Sequence, residues 1–132
     1  MAYNNDLITQ YQEQSILTMS HGELLVKLYD ELLKNLRFAS LLLGQKQSDN
    51  AKKYTTKAKD IVNYLFAILD DKYSISADLK QIYSHLLGQI IKANVSGDPA
   101  SLEEIIPTVQ ELRTAWVAAE KSTRMQNGSK GK

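Results

Sequence analysis

Four segments in which apolar residues recur at helical spacing, separated by short polar stretches, constrain the fold of this 132-residue chain most strongly. The first segment starts where Ser20 is followed three residues later by Glu23. This is a capping box, in which the Ser and Glu side chains each accept a hydrogen bond from a backbone N–H at the helix start. Apolar residues then recur every three or four positions. A long helix is therefore predicted from Ser20 to about Gln45.

Cap and turn residues delimit three further helices. The second runs from Asp49 to about Leu69 after a cap at Ser48. The third is capped by Ser74 or Ser76 and ends near Val95, just before Ser96 and Gly97. The fourth runs from Pro99 to about Lys121 after a cap at Asp98. Pro107 lies inside the fourth pattern and lacks the N–H that would bond to the carbonyl of Glu103. A kink or a break is predicted there.

Helices of about 20 residues joined by short turns run antiparallel to their neighbours. The predicted fold is all-α, an antiparallel up-down four-helix bundle over residues 20–122. A polar N-terminal arm with a short helix, residues 1–19, precedes the bundle, and a disordered tail, residues 123–132, follows it. A domain of this size can bury a core without a disulfide or metal. The bundle is expected to be a monomer or a homodimer.

Composition excludes several classes of protein. Cys is absent, which excludes disulfides, thiolate zinc sites and Cys nucleophiles. The net charge is +1, without the concentrated positive face that nucleic-acid binding requires. Lys52, Lys53, Lys57 and Lys59 are interpreted as a solvated helix face rather than a phosphate-binding patch. The start of the chain is unlike a signal peptide, and no apolar run approaches the roughly 20 residues of a membrane helix. A cytoplasmic protein without membrane insertion is expected.

No catalytic or metal site is predicted. Helical bundles often hold di-metal centres built from Glu-x-x-His pairs, but neither His21 nor His85 has a Glu three residues before it. The adjacent carboxylates Asp70 and Asp71 fall in a predicted turn, where Asp is favoured for local reasons. Phosphate-binding loops and nucleophile elbows do not occur in the sequence. The chain is therefore not expected to be an enzyme or to use a cofactor.

An excess of apolar helix surface is the unusual feature. Apolar residues cover about half the circumference of the first and third predicted helices, at about 100° per residue. Plain core packing can account for each position, but one core cannot bury two arcs of that width, and large exposed apolar patches mark partner sites. Arg113 lies on the stripe of the fourth helix near Trp116. Either its stem packs on Trp116 while its head reaches water or a Glu, or it awaits a partner's carboxylate or carbonyl.

Several motifs occur along the chain in a fixed order. The first is Tyr11-x3-Ser15-x2-Thr18-x-Ser20-x-Gly22-Glu23-Leu24-x3-Leu28-Tyr29, and the others are Leu79-x3-Tyr83, Ala93-Asn94, Asp98, Leu102-Glu103-Glu104 and Leu112-Arg113-x2-Trp116. On these residues the chain resembles the FliS family of flagellar export chaperones. Together these motifs extend from Tyr11 to Trp116. Met19 and His21 differ from the residues common in the family, and Pro107 is unexpected in it.

The resemblance implies a small helical chaperone, neither enzymatic nor cofactor-dependent, that binds the disordered C-terminal part of flagellin in the cytoplasm. It would prevent premature polymerisation and deliver flagellin to the export gate. The wide apolar stripes suit a helix-in-groove mode of binding. The residues expected to contact the partner are Tyr11, Ser15, Leu24, Leu28, Tyr29, Tyr83, Leu87, Ile91, Asn94, Arg113 and Trp116. The alternative is a structural or adaptor bundle that uses its spare stripe to self-associate.

The arm is expected to contribute to the same surface. Leu7, Ile8, Tyr11 and Ile16 supply apolar side chains ahead of the first helix. An uncovered apolar groove would face water in the free protein. We therefore expect the arm to fold back over the groove until the flagellin tail displaces it.

Overall fold

The computed structural model describes residues 21–130, with the side chains of 22–119 and 121. It contains four helices, which are α1 (His21–Gly44), α2 (Ser48–Ala67), α3 (Ile75–Ser96) and α4 (Ala100–Lys130). The regular elements in this part of the chain are all α-helical, which confirms the predicted fold class. The N-terminal arm, including Tyr11, Ser15 and the proposed cap at Ser20, lies outside the described residues.

The helices pack as a ring around one core. α1 contacts α2 and α4, and α3 also contacts α2 and α4, so that α1 and α3 lie diagonally opposite. Short turns make consecutive helices antiparallel, as an up-down bundle requires. The largest fully buried side chains come from all four helices and are Tyr29, Tyr83, Leu32, Leu36, Leu65, Leu86, Ile90, Leu102, Ile105, Val62, Val109 and Thr55. Over the described residues, no helix combines the length and apolarity that crossing a membrane requires.

The junction between α3 and α4 follows the predicted signals. Gly97 has a φ of 73° and donates its backbone N–H to the carbonyl of Ala93 at 2.8 Å, closing α3 in the left-handed conformation that glycine adopts without strain. The Oδ1 atom of Asp98 accepts the backbone N–H of Ala100 at 2.9 Å. Asp98 therefore caps the start of α4, as predicted.

The predicted serines make no side-chain capping bond at the start of α2 or α3. Ser48 lies inside α2, and Gln47 occupies the cap position, where its backbone carbonyl accepts the N–H of Ala51 at 3.0 Å. Ser74 precedes α3 without a side-chain capping bond, and the buried Ser76 donates its hydroxyl to the carbonyl of Asp70 instead. The Ser76 hydroxyl thus stabilises the turn, while Ser48 and Ser74 are exposed. Short polar side chains often bond to other nearby backbone groups instead of capping a helix.

α4 is longer and more regular than predicted. It continues as one helix through Pro107, which is exposed, so of the predicted kink or break the break does not occur. The carbonyl that loses its partner belongs to Glu103, which is also exposed and can be hydrated. α4 then continues to Lys130, beyond the end near Lys121 that the sequence predicts and into the segment expected to lack structure. Residues 122–130 include Arg, Met, Gln and Lys, which favour helix propagation, beside Ser, Thr, Asn and Gly, which do not.

The expected apolar excess on α1 is also wrong. Its predicted apolar residues are buried, except for Leu42, which is partly buried. α1 packs more extensively against its two neighbours than α3 does against the same two helices. The predicted arc of α1 is therefore covered from both sides, whereas Phe38 and Leu41, which lie outside that arc, are exposed.

Candidate partner-binding site

The spare apolar surface lies on α3. Leu79, Tyr83, Leu87, Ile91 and Val95 form one row at a spacing of four residues. Such a row is inclined to the helix axis, so it winds around the helix instead of staying on one face. Burial falls steadily along it, because Leu79 and Tyr83 are buried, Leu87 is partly buried, Ile91 is 46% exposed and Val95 is 84% exposed. We call these five residues the α3 ridge.

An apolar cavity of about 280 Å³ lies at the buried end of the α3 ridge. Its lining comes from the start of α1, the end of α2, the following turn, the start of α3 and the later part of α4, and consists of Leu25, Leu65, Ile68, Leu69, Asp70, Tyr73, Ile75, Ser76, Leu79, Tyr83 and Trp116. Tyr73 and Ile75 are themselves exposed. The cavity therefore adjoins the ridge at the buried residues Leu79 and Tyr83, and the accessible part of the ridge runs from Leu87 to Val95.

Three aromatic side chains from three helices meet beside the cavity. The hydroxyls of Tyr29 and Tyr83 are 2.6 Å apart and share a hydrogen bond, and Trp116 Nε1 donates to the Tyr29 hydroxyl at 3.1 Å. Phe66 packs edge-on against Tyr83, with ring centroids 5.6 Å apart. An indole N–H can only donate, so Tyr29 must accept from Trp116. The hydrogen-bonded chain fixes Trp116 in the cavity lining.

The two tyrosines remain neutral well above physiological pH. Burial raises the pKa of Tyr29, although the hydrogen bonds from Tyr83 and Trp116 oppose the increase. Burial also raises the pKa of Tyr83, and the adjoining Tyr29 raises it further. An ionised phenol would lose its hydration in this environment. The aromatic chain is thus an uncharged structural link between α1, α3 and α4.

Arg113 is paired within the chain. Its Nε donates to Asp30 Oδ1 of α1, and both side chains are about half-exposed. The predicted alternatives were a head in water or on a Glu, and a charge awaiting a partner. The structure instead supplies an internal carboxylate from Asp30, so Arg113 connects α1 with α4 in the described conformation.

Asn94 also has a structural role. Its Oδ1 accepts the hydroxyl of the fully buried Thr55 at 2.8 Å, joining α2 to α3. A buried hydroxyl without a partner would be costly, so this bond supports the packing of the two helices. In the free molecule the Asn94 side chain is therefore engaged by α2.

The predicted contact residues fall into four groups. Asn94 and Arg113 are paired within the chain. Leu24, Leu28, Tyr29 and Tyr83 are buried core residues, which a rigid bundle does not offer to a partner. Leu87, Ile91 and Trp116 are accessible on the ridge or at the cavity. Tyr11 and Ser15 lie outside the described residues.

Sequence reasoning missed Val95, Tyr73 and Ile75. Val95 continues the spacing of four from Leu87 and Ile91, so extending the row by one turn identifies it. Tyr73 and Ile75 lie in the turn and at the helix start, where periodicity gives no signal.

The described chain is thus an all-α four-helix bundle with an apolar ridge on α3 and an adjoining apolar cavity. The chain belongs to the family described as flagellar protein FliS, whose model matches residues 3–123. This is a family of flagellar secretion chaperones. By its family, the chain is therefore a chaperone of flagellum biogenesis and protein export.

Three relatives carry the name flagellar secretion chaperone FliS. The protein from Bacillus subtilis (strain 168) is 28% identical over 123 residues, covering 93% of this chain and 92% of its own length. The protein from Escherichia coli (strain K12) is 26% identical over 107 residues, 79% of each chain. The protein from Vibrio cholerae serotype O1 (strain ATCC 39315 / El Tor Inaba N16961) is 36% identical over 62 residues, 46% of each chain.

Proposed function

We propose that this protein binds the C-terminal region of flagellin in the cytoplasm, prevents its premature polymerisation and delivers it to the export gate. Membership of a secretion chaperone family supports a client destined for export. The apolar surface formed by the α3 ridge and the cavity is the observation that carries the proposal. A non-enzymatic mechanism without a cofactor is sufficient, because the task is to cover apolar segments of the client.

The dimensions of this surface suit a helical segment of the flagellin tail. From Leu87 to Val95 the accessible part of the ridge extends about 12 Å along α3, at 1.5 Å per residue. Rows of side chains at a spacing of four pack into the grooves of a second helix. The client helix would cover Leu87, Ile91 and Val95, and a bulky apolar residue near one end would enter the cavity beside Trp116.

Energetics require both parts of the surface. Each well-buried Leu or Ile contributes roughly 1.5–3 kcal/mol. Ordering a disordered tail costs several kcal/mol, roughly 2–5 or more. The exposed end of the ridge offers few such contacts, so binding of useful affinity also needs the cavity. A client that engages one part alone is therefore expected to bind weakly.

Calorimetric titration of a flagellin C-terminal peptide tests the proposal. Val95→Glu places a charge on the most exposed ridge residue and should weaken binding at least about tenfold, without affecting the core. Leu41→Glu is the matched control, since Leu41 is an exposed apolar residue on the outer face of α1. Its affinity should equal that of the unmodified protein. An absence of binding at micromolar peptide, or equal losses in both variants, would contradict the proposal.

The same ridge suits a second candidate function, self-association as a structural or adaptor bundle. Val95 and Ile91 are exposed apolar residues that a second copy could cover. Light scattering distinguishes the two functions. A stable homodimer that dissociates in Val95→Glu and ignores the flagellin peptide would support self-association, whereas a monomer that binds the peptide supports the chaperone function.

A further inference from the structure

A second exposed apolar cluster lies where α1 meets α2. Phe38 is 44% exposed and Leu41 is 57% exposed, which is unusual for large apolar side chains on the best-packed helix. Phe38 stacks on Tyr54 of α2, with ring centroids 5.3 Å apart and planes tilted by 30°. Lys34, Phe38 and Leu41 share one face of α1 by their spacing. We call these residues, with Lys53, Tyr54 and Lys57 of α2, the aromatic–lysine patch.

The patch carries positive charges that have weak or no ion-pair partners. The Nζ atoms of Lys53 and Lys57 are 5.1 and 6.0 Å from the centroid of the Tyr54 ring. Among the described residues, neither ammonium group has a carboxylate within 4.0 Å. Lys34 has only a long contact of 3.9 Å with Glu31, and both of these side chains are well exposed. Three cations therefore surround an apolar centre that is open to solvent.

We propose that the aromatic–lysine patch binds an acidic amphipathic helix of another protein. Lys53 and Lys57 are one turn apart, so they match carboxylates at the same spacing on a partner helix. An apolar side chain of that helix would cover Phe38 and Leu41. Charged groups around an apolar centre set orientation and association rate, while the aromatic contact supplies buried area.

The location of the patch makes this interaction independent of the flagellin site. The patch belongs to α1 and α2, whereas the exposed end of the ridge belongs to α3, which lies diagonally opposite α1 in the ring. Tyr54 and Phe38 do not line the cavity. Both surfaces can therefore be occupied at the same time, and the patch can bind its partner whether or not a client is present.

The chemistry favours a protein over nucleic acid. Phosphate binding gains affinity by neutralising many charges, and this patch offers three lysines. Base stacking requires free aromatic faces, but Phe38 and Tyr54 already pack on each other and the two lysines lie over the Tyr54 ring. Leu41 adds an aliphatic contact that suits an apolar side chain.

Chemical-shift mapping of the full 15N-labelled chain tests the inference. The probe is a blocked synthetic helix of about four turns with Leu on one face and Glu at its edges, and a second probe has Lys in place of each Glu. The acidic helix should shift the amide signals of Phe38, Leu41 and Tyr54, with an affinity that falls as salt rises. The basic helix should leave these signals unchanged.

Two double variants separate local from overall charge effects. Lys53→Glu with Lys57→Glu should weaken the acidic helix about tenfold or more and leave flagellin peptide binding intact. Lys52→Glu with Lys59→Glu changes the net charge equally on the same helix and should retain acidic-helix binding.

Several results would overturn the inference. They are equal losses in both double variants, shifts confined to the α3 ridge and the cavity, or shifts at the patch caused by single-stranded RNA or phosphatidylserine vesicles but not by the acidic helix. A flagellin peptide that shifts the patch signals would also contradict a separate partner site.

Discussion

Removing single hydroxyls from the aromatic chain beside the cavity tests how the bundle is held together. Tyr29 connects Tyr83 with Trp116, so Tyr29→Phe leaves both neighbours without their partner. Tyr83→Phe removes only the hydroxyl at one end of this hydrogen-bonded chain, because Tyr29 still accepts the bond from Trp116. Both changes preserve the ring and create no sizeable cavity. The two substitutions should therefore differ in cost even though the chemical change is the same.

The magnitudes follow from burial. Tyr83 is 1% exposed, so its hydroxyl has no access to water once Tyr29 becomes Phe. A buried polar group left without a partner costs about 1–3 kcal/mol. Trp116 is only partly buried, and its N–H can turn to water at a smaller cost. We expect Tyr29→Phe to lower the free energy of unfolding by roughly 2–3 kcal/mol and Tyr83→Phe by about 0.5–1.5 kcal/mol.

The double variant provides the sharpest comparison. With both hydroxyls removed, no orphaned phenol remains in the core, so its cost should be no larger than that of Tyr29→Phe alone. The coupling energy between the two positions is then about 0.5–1.5 kcal/mol, within the range of contacting residues. Tyr73→Phe is the control, because Tyr73 is exposed and its hydroxyl has no hydrogen bond within the described residues.

Urea unfolding followed by fluorescence measures these differences directly. The chain has 1 Trp, so the emission reports the environment of Trp116 alone. Tyr29→Phe should also shift the native emission, since it removes the acceptor of the indole N–H. Equal costs for the two single variants, strict additivity in the double variant, or an unchanged emission in Tyr29→Phe would refute the reasoning.

Two further outcomes can be measured by the same unfolding assay. Because the folded state holds the Tyr29 and Tyr83 protons above the free tyrosine pKa of about 10, the unfolded state loses protons first as pH rises. The free energy of unfolding should then fall above about pH 10, by up to about 1.4 kcal/mol per pH unit for each tyrosine. The fall should be smaller in the double Phe variant, and the same pH dependence in both proteins would contradict this. Pro107→Ala should raise stability by roughly 1–3 kcal/mol, because it restores a helix bond at an exposed site; no gain would show that the backbone at Pro107 has no missing bond to restore.

The helices could be predicted from the sequence, and their caps only in part. Asp98 and Gly97 acted as expected because their roles depend on local backbone geometry. Ser48 and Ser76 did not, since a serine hydroxyl finds several competing partners within one turn. The end of α4 was missed for a related reason. Helix propensity changes gradually beyond Lys121, and no strong stop signal precedes Gly128.

The candidate site could not be read from apolar arcs alone. α1 and α3 have arcs of similar width, yet α1 is covered by α2 and α4 while α3 exposes Ile91 and Val95. Arc width depends on the helix itself, but coverage depends on how closely its neighbours approach. The partner of Arg113 was similarly hidden, because Asp30 is 83 positions away and only the packing of α1 against α4 brings them together.

Hydrogen bonds between side chains of different helices explain how α3 can expose an apolar row to water. Asn94 ties α3 to α2 through Thr55, and Tyr83 ties it to α1 through Tyr29. Glu104 of α4 accepts from Gln89 at 2.6 Å and lies 3.3 Å from His85 Nε2, both residues of α3.

α3 is thus held on three sides without using Leu87, Ile91 or Val95. A ridge fixed in this way needs no ordering when a client arrives, so the conformational entropy cost of binding falls mainly on the client. We therefore expect Asn94 to support client binding without touching the client, because it positions the ridge.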